Sequence, residues 1–307
     1  MSGGIDDYVI ACRSYGRATS FPQKTYRMLE HNNLIDRLYV FVATAAEKKL
    51  YREQLPDFPV GRIVIGAPGL APVTRCICKY FPEGQRIVFM DDDLEQFFVM
   101  PFMPSMPSSG SGNSKIQKDS SVLHKYLEDG FRTIEAHDLG SFTFSFLSNS
   151  FYLTGKPFKE FRPFLVGGSF FGCRNDRKLI PVHVGQSEDV LRSSRFFERY
   201  GGTLVYWYAG FGTHYGKEAG GMQSSGDRGD AASRLKLTKE ISQKLYDSEE
   251  LLQAYATPPQ FIENANLWSL KLKNVTQIRK AMKARGVELR WAAWDGLVVK
   301  PVSTEGI

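Results

Sequence analysis

Arg86-Ile-Val-Phe-Met-Asp91-Asp92-Asp93 runs four apolar residues straight into three carboxylates. A short run of β-branched and aromatic residues bounded by polar ones reads as a buried strand. Three consecutive carboxylates at its end repel one another unless a cation neutralises them. A hard divalent ion, Mg²⁺ or Mn²⁺, does this with oxygen ligands and leaves positions open for phosphate oxygens. The plainer alternative is a solvated acidic turn or a helix start favoured by the macrodipole. An apolar strand feeding directly into the triplet favours the metal.

The segments before it have the same character. Tyr8 to Cys12, Leu38 to Val42 and Arg62 to Ile65 read as strands. Lys24 to His31, Ala45 to Gln54 and the second part of Gly69 to Tyr80 read as helices. Apolar strands alternating with helices predict an α/β fold, a Rossmann-type and mostly parallel sheet with helices on both faces. Ligands of such sheets bind beyond the carboxyl ends of the strands. The loop Arg13-Ser-Tyr-Gly-Arg17 and the Asp triplet both follow strands, so both belong on that edge.

Beyond the triplet, Met100 to Ser114 is rich in Pro, Ser and Gly and is expected to be a flexible loop, either a lid or a passive linker. Ser121 to Ala136 reads as an amphipathic helix, and Gly140 to Phe151 and Thr203 to Tyr208 as strands. Leu165 to Gly172 reads as a strand whose glycines, Gly167 and Gly168 among them, allow a neighbour or ligand to approach the backbone closely. Ser187 is placed to cap a helix that opens with Glu188-Asp189. Gly210 to Gly229 is a glycine-rich loop before a basic helix near 234–246, and a second basic helix spans Asn274 to Gly286. The expected division is a domain over 1–255, with a nucleotide-side half (1–99), the loop (100–114) and an acceptor half (115–255). A basic helical extension over 256–307 would pack on it.

Composition narrows the class. The chain has 307 residues, 42% hydrophobic and 23% charged, which excludes wholesale disorder. A formal charge of +6 permits a polyanionic partner without requiring one. Cys12, Cys76, Cys78 and Cys173 do not form a disulfide framework pattern, and Cys76-Ile-Cys78 lacks a second ligand pair for structural zinc. The N-terminal residues have no apolar signal core, and no apolar run is long enough to span a bilayer. The expectation is a soluble cytoplasmic protein without a membrane partner. Neither GxxxxGK[ST] nor GxGxxG occurs, which argues against a P-loop kinase or a dinucleotide-binding dehydrogenase.

Other residues suit chemistry at the same edge. A carboxylate of Glu188 or Asp189 at a helix start could deprotonate an acceptor hydroxyl, although acidic residues at helix N-termini need no function. Arg13, Arg17 and Arg75 could grip phosphates in bidentate fashion, or serve as surface arginines. His214, in the glycine loop, could complete a metal shell begun by the triplet. Phe170, Phe171 and Trp207 could stack on a base, or simply fill the core.

Together these segments resemble a GT-A glycosyltransferase, in which a DxD-like cluster at a strand end holds a metal and a nucleotide-sugar diphosphate. Up to about Tyr255 the chain resembles the TET/JBP-associated glycosyltransferases, phage and related enzymes that place sugars on hydroxymethylated DNA pyrimidines. The resemblance lies in an ordered set: Cys12 to Arg17, Lys24-Thr25, Phe41 to Glu47 with Tyr51, Gly69 with Arg75, Ile87 to Leu94, Val166 to Gly168 with Gly172, Glu188-Asp189, and Gly220-Gly221. Cys76 departs from it, standing where an asparagine is expected.

The resemblance implies that Arg13, Ser14 and Arg17 line the nucleotide side and that Arg75 meets donor phosphate or ribose. It implies that Asp91 faces ribose or sugar and Asp93 binds Mn²⁺ or Mg²⁺, with Asp92 between them. Glu188 or Asp189 would be the base, and Gly167, Gly168 and Trp207 would lie toward single- or double-stranded DNA carrying the modified pyrimidine. Other readings stay open on the residues: a GT-A enzyme with a glycan or small-molecule acceptor, a nucleotidyltransferase, or a nucleic-acid-binding protein without turnover.

Overall fold

The computed structural model describes residues 7–99, 122–145, 159–181, 183, 186–213, 231–263, 267–288 and 292–293. Its first half alternates strands and helices: β1 (Tyr8–Arg13), α1 (Thr25–His31), β2 (Leu38–Val42), α2 (Ala45–Gln54), β3 (Ile63–Ile65), α3 (Leu70–Tyr80) and β4 (Arg86–Asp91). β5 (Leu94–Val99) follows at once, then α4 (Leu123–Ala136), β6 (Ser141–Ser145), β7 (Lys159–Arg162), β8 (Phe170–Arg174), α5 (Glu188–Tyr200) and β9 (Thr203–Thr213). The last part holds α6 (Ala231–Ser248), α7 (Glu250–Tyr255), β10 (Ala256–Ile262), β11 (Leu267–Leu272), α8 (Val275–Ala284) and β12 (Ala292–Ala293).

The fold is α/β. Among the described residues one ten-stranded sheet runs β12-β7-β9-β6-β8-β4-β1-β2-β3, with β5 paired to β9, and β10 and β11 form a separate hairpin. The expected parallel arrangement occupies one half, where β4, β1, β2 and β3 are parallel throughout. Beyond β4 the antiparallel strand β8 intervenes, and there only β6 with β9 is parallel.

Alternation along the parallel strands explains the two cores, because successive side chains point to opposite faces. Ile10, Cys12, Val40, Val42, Val88 and Met90 face one side, where they pack with Met28 and Leu29 of α1, Tyr51 of α2 and Leu127 and Phe131 of α4. Ala11, Phe41, Ile87 and Phe89 face the other, against Val73 and Ile77 of α3 and Phe196 of α5. Both faces are therefore covered, which is why these strands read as unbroken apolar runs. Phe142 on β6 fits because both Gly130 and Gly172 lack a side chain; a Cβ on Gly130 would stand 2.7 Å from its ring.

The outer face of α5 carries the C-terminal unit. Val190 and Leu191 pack with Leu245, Leu252, Ala256 and Leu270, while Phe197 packs with Tyr255, Ile278 and Met282. Arg285, in the basic segment after α8, donates to Glu198 at 2.9 Å and also pairs with Glu250. At least this arginine of the basic tail is spent on docking the unit.

Most first-half elements lie where the sequence places them. The strand expected over Leu165 to Gly172 does not: regular structure begins only at Phe170. Its backbone is satisfied largely by side chains, with one main-chain bond from the Asp91 amide to the Ser169 carbonyl at 2.9 Å. The Val166 amide donates to Ser193 Oγ at 2.8 Å, and the carbonyls of Val166 and Gly167 accept from Arg192 at 2.7 and 3.1 Å. Ser187 holds the position before α5, but it makes no side-chain cap. It sits in the left-handed region with φ 56°, and its hydroxyl meets Ser269 Oγ at 3.0 Å and the Leu270 amide at 3.3 Å. β5, β7 and the β10–β11 hairpin have no counterpart in the sequence reading.

Candidate active site

Register builds the site. β1 pairs with β4 so that Arg13 stands opposite Asp91, and the loop after β1 meets the Asp triplet at one carboxyl edge of the sheet. Arg13 donates to Asp91 Oδ1 at 2.7 Å and also to the carbonyl of Gly168. Arg17 donates to Asp92 Oδ1 at 2.5 Å and lies 2.9 Å from Asp93 Oδ2. Two guanidiniums thus face three carboxylates and leave one negative charge uncompensated among them.

The three carboxylates have different surroundings. Asp92 is buried, 3% exposed, and accepts from Ser14 as well as Arg17. Since the Ser14 proton goes to Asp92, the buried Tyr51 hydroxyl donates to Ser14. Burial keeps that phenol protonated by raising its pKa far above the ordinary value. Ser14 and Asp92 therefore turn inward and brace the β1 loop against α2, satisfied within the protein. Glu47 on α2 extends the brace by accepting from the amides of Gly16 at 2.5 Å and Ala43 at 2.8 Å.

Asp91 is different. Its side chain is 37% exposed, yet surrounding protein raises its carboxyl to about 6, chiefly by desolvation and then by the charges of Asp93 and Asp92, against the opposing pull of Arg13. The backbone of the turn is held by the buried hydroxyl of Thr25, which donates to the Asp91 carbonyl at 3.0 Å and accepts from the Leu94 amide at 2.9 Å. Thr25 and Tyr51 belong to the ordered set of segments, but nothing in a lone threonine or tyrosine marks such a contact.

Arg192, fully buried on α5, went unrecognised in the sequence. It pairs with Glu188 one turn earlier, lies 3.8 Å over the Phe171 ring, and holds the Val166 and Gly167 carbonyls. Glu188 is 4% exposed, and its second oxygen, Oε1, is buried without a hydrogen-bond partner among the described residues. It is close enough to Arg13 to raise that guanidinium's proton affinity. Asp189, the next residue, is partly open and accepts from the Val190 amide at 2.9 Å. Desolvation and then the Glu188 charge raise its carboxyl to about 6.

The structure thus brings Arg13, Arg17, Asp91, Asp92, Asp93, Gly168 and Glu188 together. Arg75 is exposed on α3. Trp207 donates to Glu160 at 3.1 Å and packs on Phe164 with Arg162 over its ring, among residues of β7 and the strap that follows it. Phe170 and Phe171 are core residues, the latter stacked on Phe89 at 4.5 Å. His214, Gly220-Gly221 and Met100 to Ser114 lie outside the described residues.

Among the described residues no three His, Cys, Asp or Glu side chains form a closed metal cluster. A magnesium-like ion does not need one, since it takes one or two carboxylates and completes its shell with water and substrate phosphate. Asp91 Oδ1 and Asp93 Oδ2 are paired with arginines, which leaves a second hard oxygen on each. That donor set fits Mg²⁺ or Mn²⁺ arriving with a diphosphate. No helix among the described residues is long and apolar enough to cross a membrane.

No family model matches this chain, and no curated protein matches it in sequence. Solved structures do resemble it at low identity. Residues 1–349 of Staphylococcus aureus TarS superpose with a TM-score of 0.44 at 12% identity, covering 80% of this chain and 68% of that one. The same protein in complex with UDP-GlcNAc gives 0.45 at 12%, covering 80% and 69%. The mannosyltransferase PcManGT of Pyrobaculum calidifontis, in complex with GDP-Man and Mn²⁺, gives 0.41 at 11%, covering 81% and 67%.

Proposed function

We propose that this protein is a GT-A-type glycosyltransferase that moves a sugar from a nucleoside diphosphate sugar, a UDP-sugar first among them, to a hydroxyl group. The observation that carries the reading is the pairing of Arg13 with Asp91 across β1 and β4, at the carboxyl edge where open α/β sheets take their ligands. Breaking the anomeric bond leaves negative charge on the departing diphosphate. Arg13 and Arg17, already oriented by their carboxylate partners, would stabilise that charge without reorganising. Asp91 and Asp93 would hold Mg²⁺ or Mn²⁺, which when bound supplies further neutralisation of the diphosphate.

A hydroxyl is a poor nucleophile until its proton is taken. Asp189 suits that task, because a carboxyl near 6 is ionised at neutral pH yet basic enough to accept a proton. Glu188, paired with Arg192, serves to bind. For the acceptor, the ordered resemblance together with the +6 charge supports a hydroxymethylated pyrimidine in DNA. Such a base must leave the helix stack before an enzyme can act on it. The test is to incubate the protein with Mn²⁺, a panel of nucleotide sugars and hydroxymethylated DNA, then analyse the nucleosides by mass. A glycosylated nucleoside supports the reading. Sugar on a glycan or small molecule alone would remove the DNA acceptor.

A further inference from the structure

We propose that Gly168 and Glu188 form the subsite that receives a hydroxyl of the donor sugar, so that the missing side chain at 168 sets which sugars fit. This rests on the glycosyltransferase reading and deepens it. Two independent observations carry it. The first is the second carboxylate oxygen: Glu188 Oε2 is paired with Arg192, but Oε1 is buried and accepts nothing among the described residues. A buried carboxylate oxygen without a donor is costly to leave unpaired, so a ligand that brings an O–H there is favoured.

The second is the space beside it. A Cβ built on Gly168 would meet a single neighbour within 4 Å among the described residues, and that neighbour is Glu188 Oε1 at 3.5 Å. A hydroxyl oxygen standing about 0.5–1 Å nearer would be at hydrogen-bond distance. The backbone around this gap is rigid. Arg192 fixes the Gly167 carbonyl and Arg13 fixes the Gly168 carbonyl, so the strap does not collapse into the space.

Position identifies the ligand as the sugar. The Arg13 guanidinium touches both Asp91 and Gly168, so the Gly168–Glu188 gap lies one side chain away from the proposed diphosphate edge. The group joined to the distal phosphate is the sugar, whose ring hydroxyls are the O–H donors the carboxylate lacks. Gly168 is not in the left-handed region, and alanine there would make only ordinary contact with Glu188. Gly168→Ala therefore fills the gap without disturbing the fold.

The experiment measures binding of UDP-glucose, GDP-mannose, UDP and GDP by calorimetry to the full chain, with Mg²⁺ present, for the wild type, Gly168→Ala and Glu188→Gln. Both variants are expected to bind the sugar nucleotide about tenfold or more weakly, with the matching diphosphate changed by about twofold or less. The melting temperature of Gly168→Ala should stay at the wild-type value, so that its loss is a loss of fit. Should diphosphate and sugar nucleotide weaken together, or neither weaken, the subsite is overturned while nucleotide binding still stands. If Glu188→Gln loses turnover with donor binding unchanged, Glu188 belongs to the acceptor side and the subsite is likewise overturned. If the wild type binds none of the four nucleotides, the glycosyltransferase reading itself fails and takes the subsite with it.

Discussion

Arg13 and Asp91 are direct partners in the β1–β4 register, and the guanidinium of one donates to the carboxylate of the other at 2.7 Å. Strand pairing, rather than loop conformation, thus sets the geometry of the proposed donor edge. Arg13→Met should weaken nucleoside diphosphate binding about 100-fold by removing a charged bidentate group. It should cost about 1–2 kcal/mol of stability, less than for a fully buried pair because Asp91 remains open to water. Calorimetric titration and denaturant melts of Arg13→Met, Asp91→Asn and the double variant check this. Strict additivity of the two single effects would show that the pair does not act together.

Asp189 separates activity from stability. Its carboxyl is raised to about 6 in the folded state and has an ordinary, lower value when unfolded. The native state therefore binds the extra proton between those values, and stability falls as pH rises through that window. Asp189→Asn removes the penalty. It should raise the melting temperature at pH 7.5 by a few degrees, for a gain of about 1–2 kcal/mol after screening, and raise it little near pH 4. Transfer should fall about 100-fold or more if Asp189 is the base. A variant that loses stability at pH 7.5 would contradict this assignment of charge.

The turn that presents the carboxylates depends on one hydroxyl. Thr25→Val leaves the Leu94 amide without the partner it now has at 2.9 Å, and should cost about 1–3 kcal/mol. Thr25→Ser keeps the oxygen and should behave like the wild type. Because the Asp91 carbonyl is tied to the same hydroxyl, kcat should drop in Thr25→Val more than donor affinity does. Thermal melts and steady-state kinetics of the two variants decide it.

The β8 glycine between the two halves of the sheet is a packing requirement. A Cβ on Gly172 would overlap the ring of Phe142, itself fully buried on β6. Gly172→Ala should destabilise the protein by about 2–3 kcal/mol, and Phe142→Leu in the same chain should recover part of that loss. Denaturant midpoints of the single and double variants provide the check.

The half of the fold around the triplet was legible because its strands are buried on both faces. Leu38–Val42 and Ala45–Gln54 lie where their patterns place them, and Asp91 to Asp93 follow β4 as read. β5 was missed because it follows β4 after a turn of only two residues, Asp92 and Asp93. The strap at 165–169 misled for a physical reason. Apart from the Asp91 amide that meets the Ser169 carbonyl, its backbone partners are the side chains of Arg13, Arg192 and Ser193, far away in sequence, so an apolar glycine-bearing run looked like a strand. Arg192 was invisible for the same cause: one arginine in a helix carries no sign that it is completely buried. Ser14 and Asp92 were legible as members of the site, but not as a brace facing inward.

The most direct test follows the fate of the donor. Wild-type protein and Asp93→Asn are incubated with Mn²⁺, radiolabelled UDP- and GDP-sugars and hydroxymethylated DNA, with and without a chelator, and the products are resolved. The predicted result is label on the DNA base matched by release of nucleoside diphosphate, lost in Asp93→Asn and on chelation. Release of pyrophosphate in place of nucleoside diphosphate, or label transferred by Asp93→Asn at the wild-type rate, would contradict it.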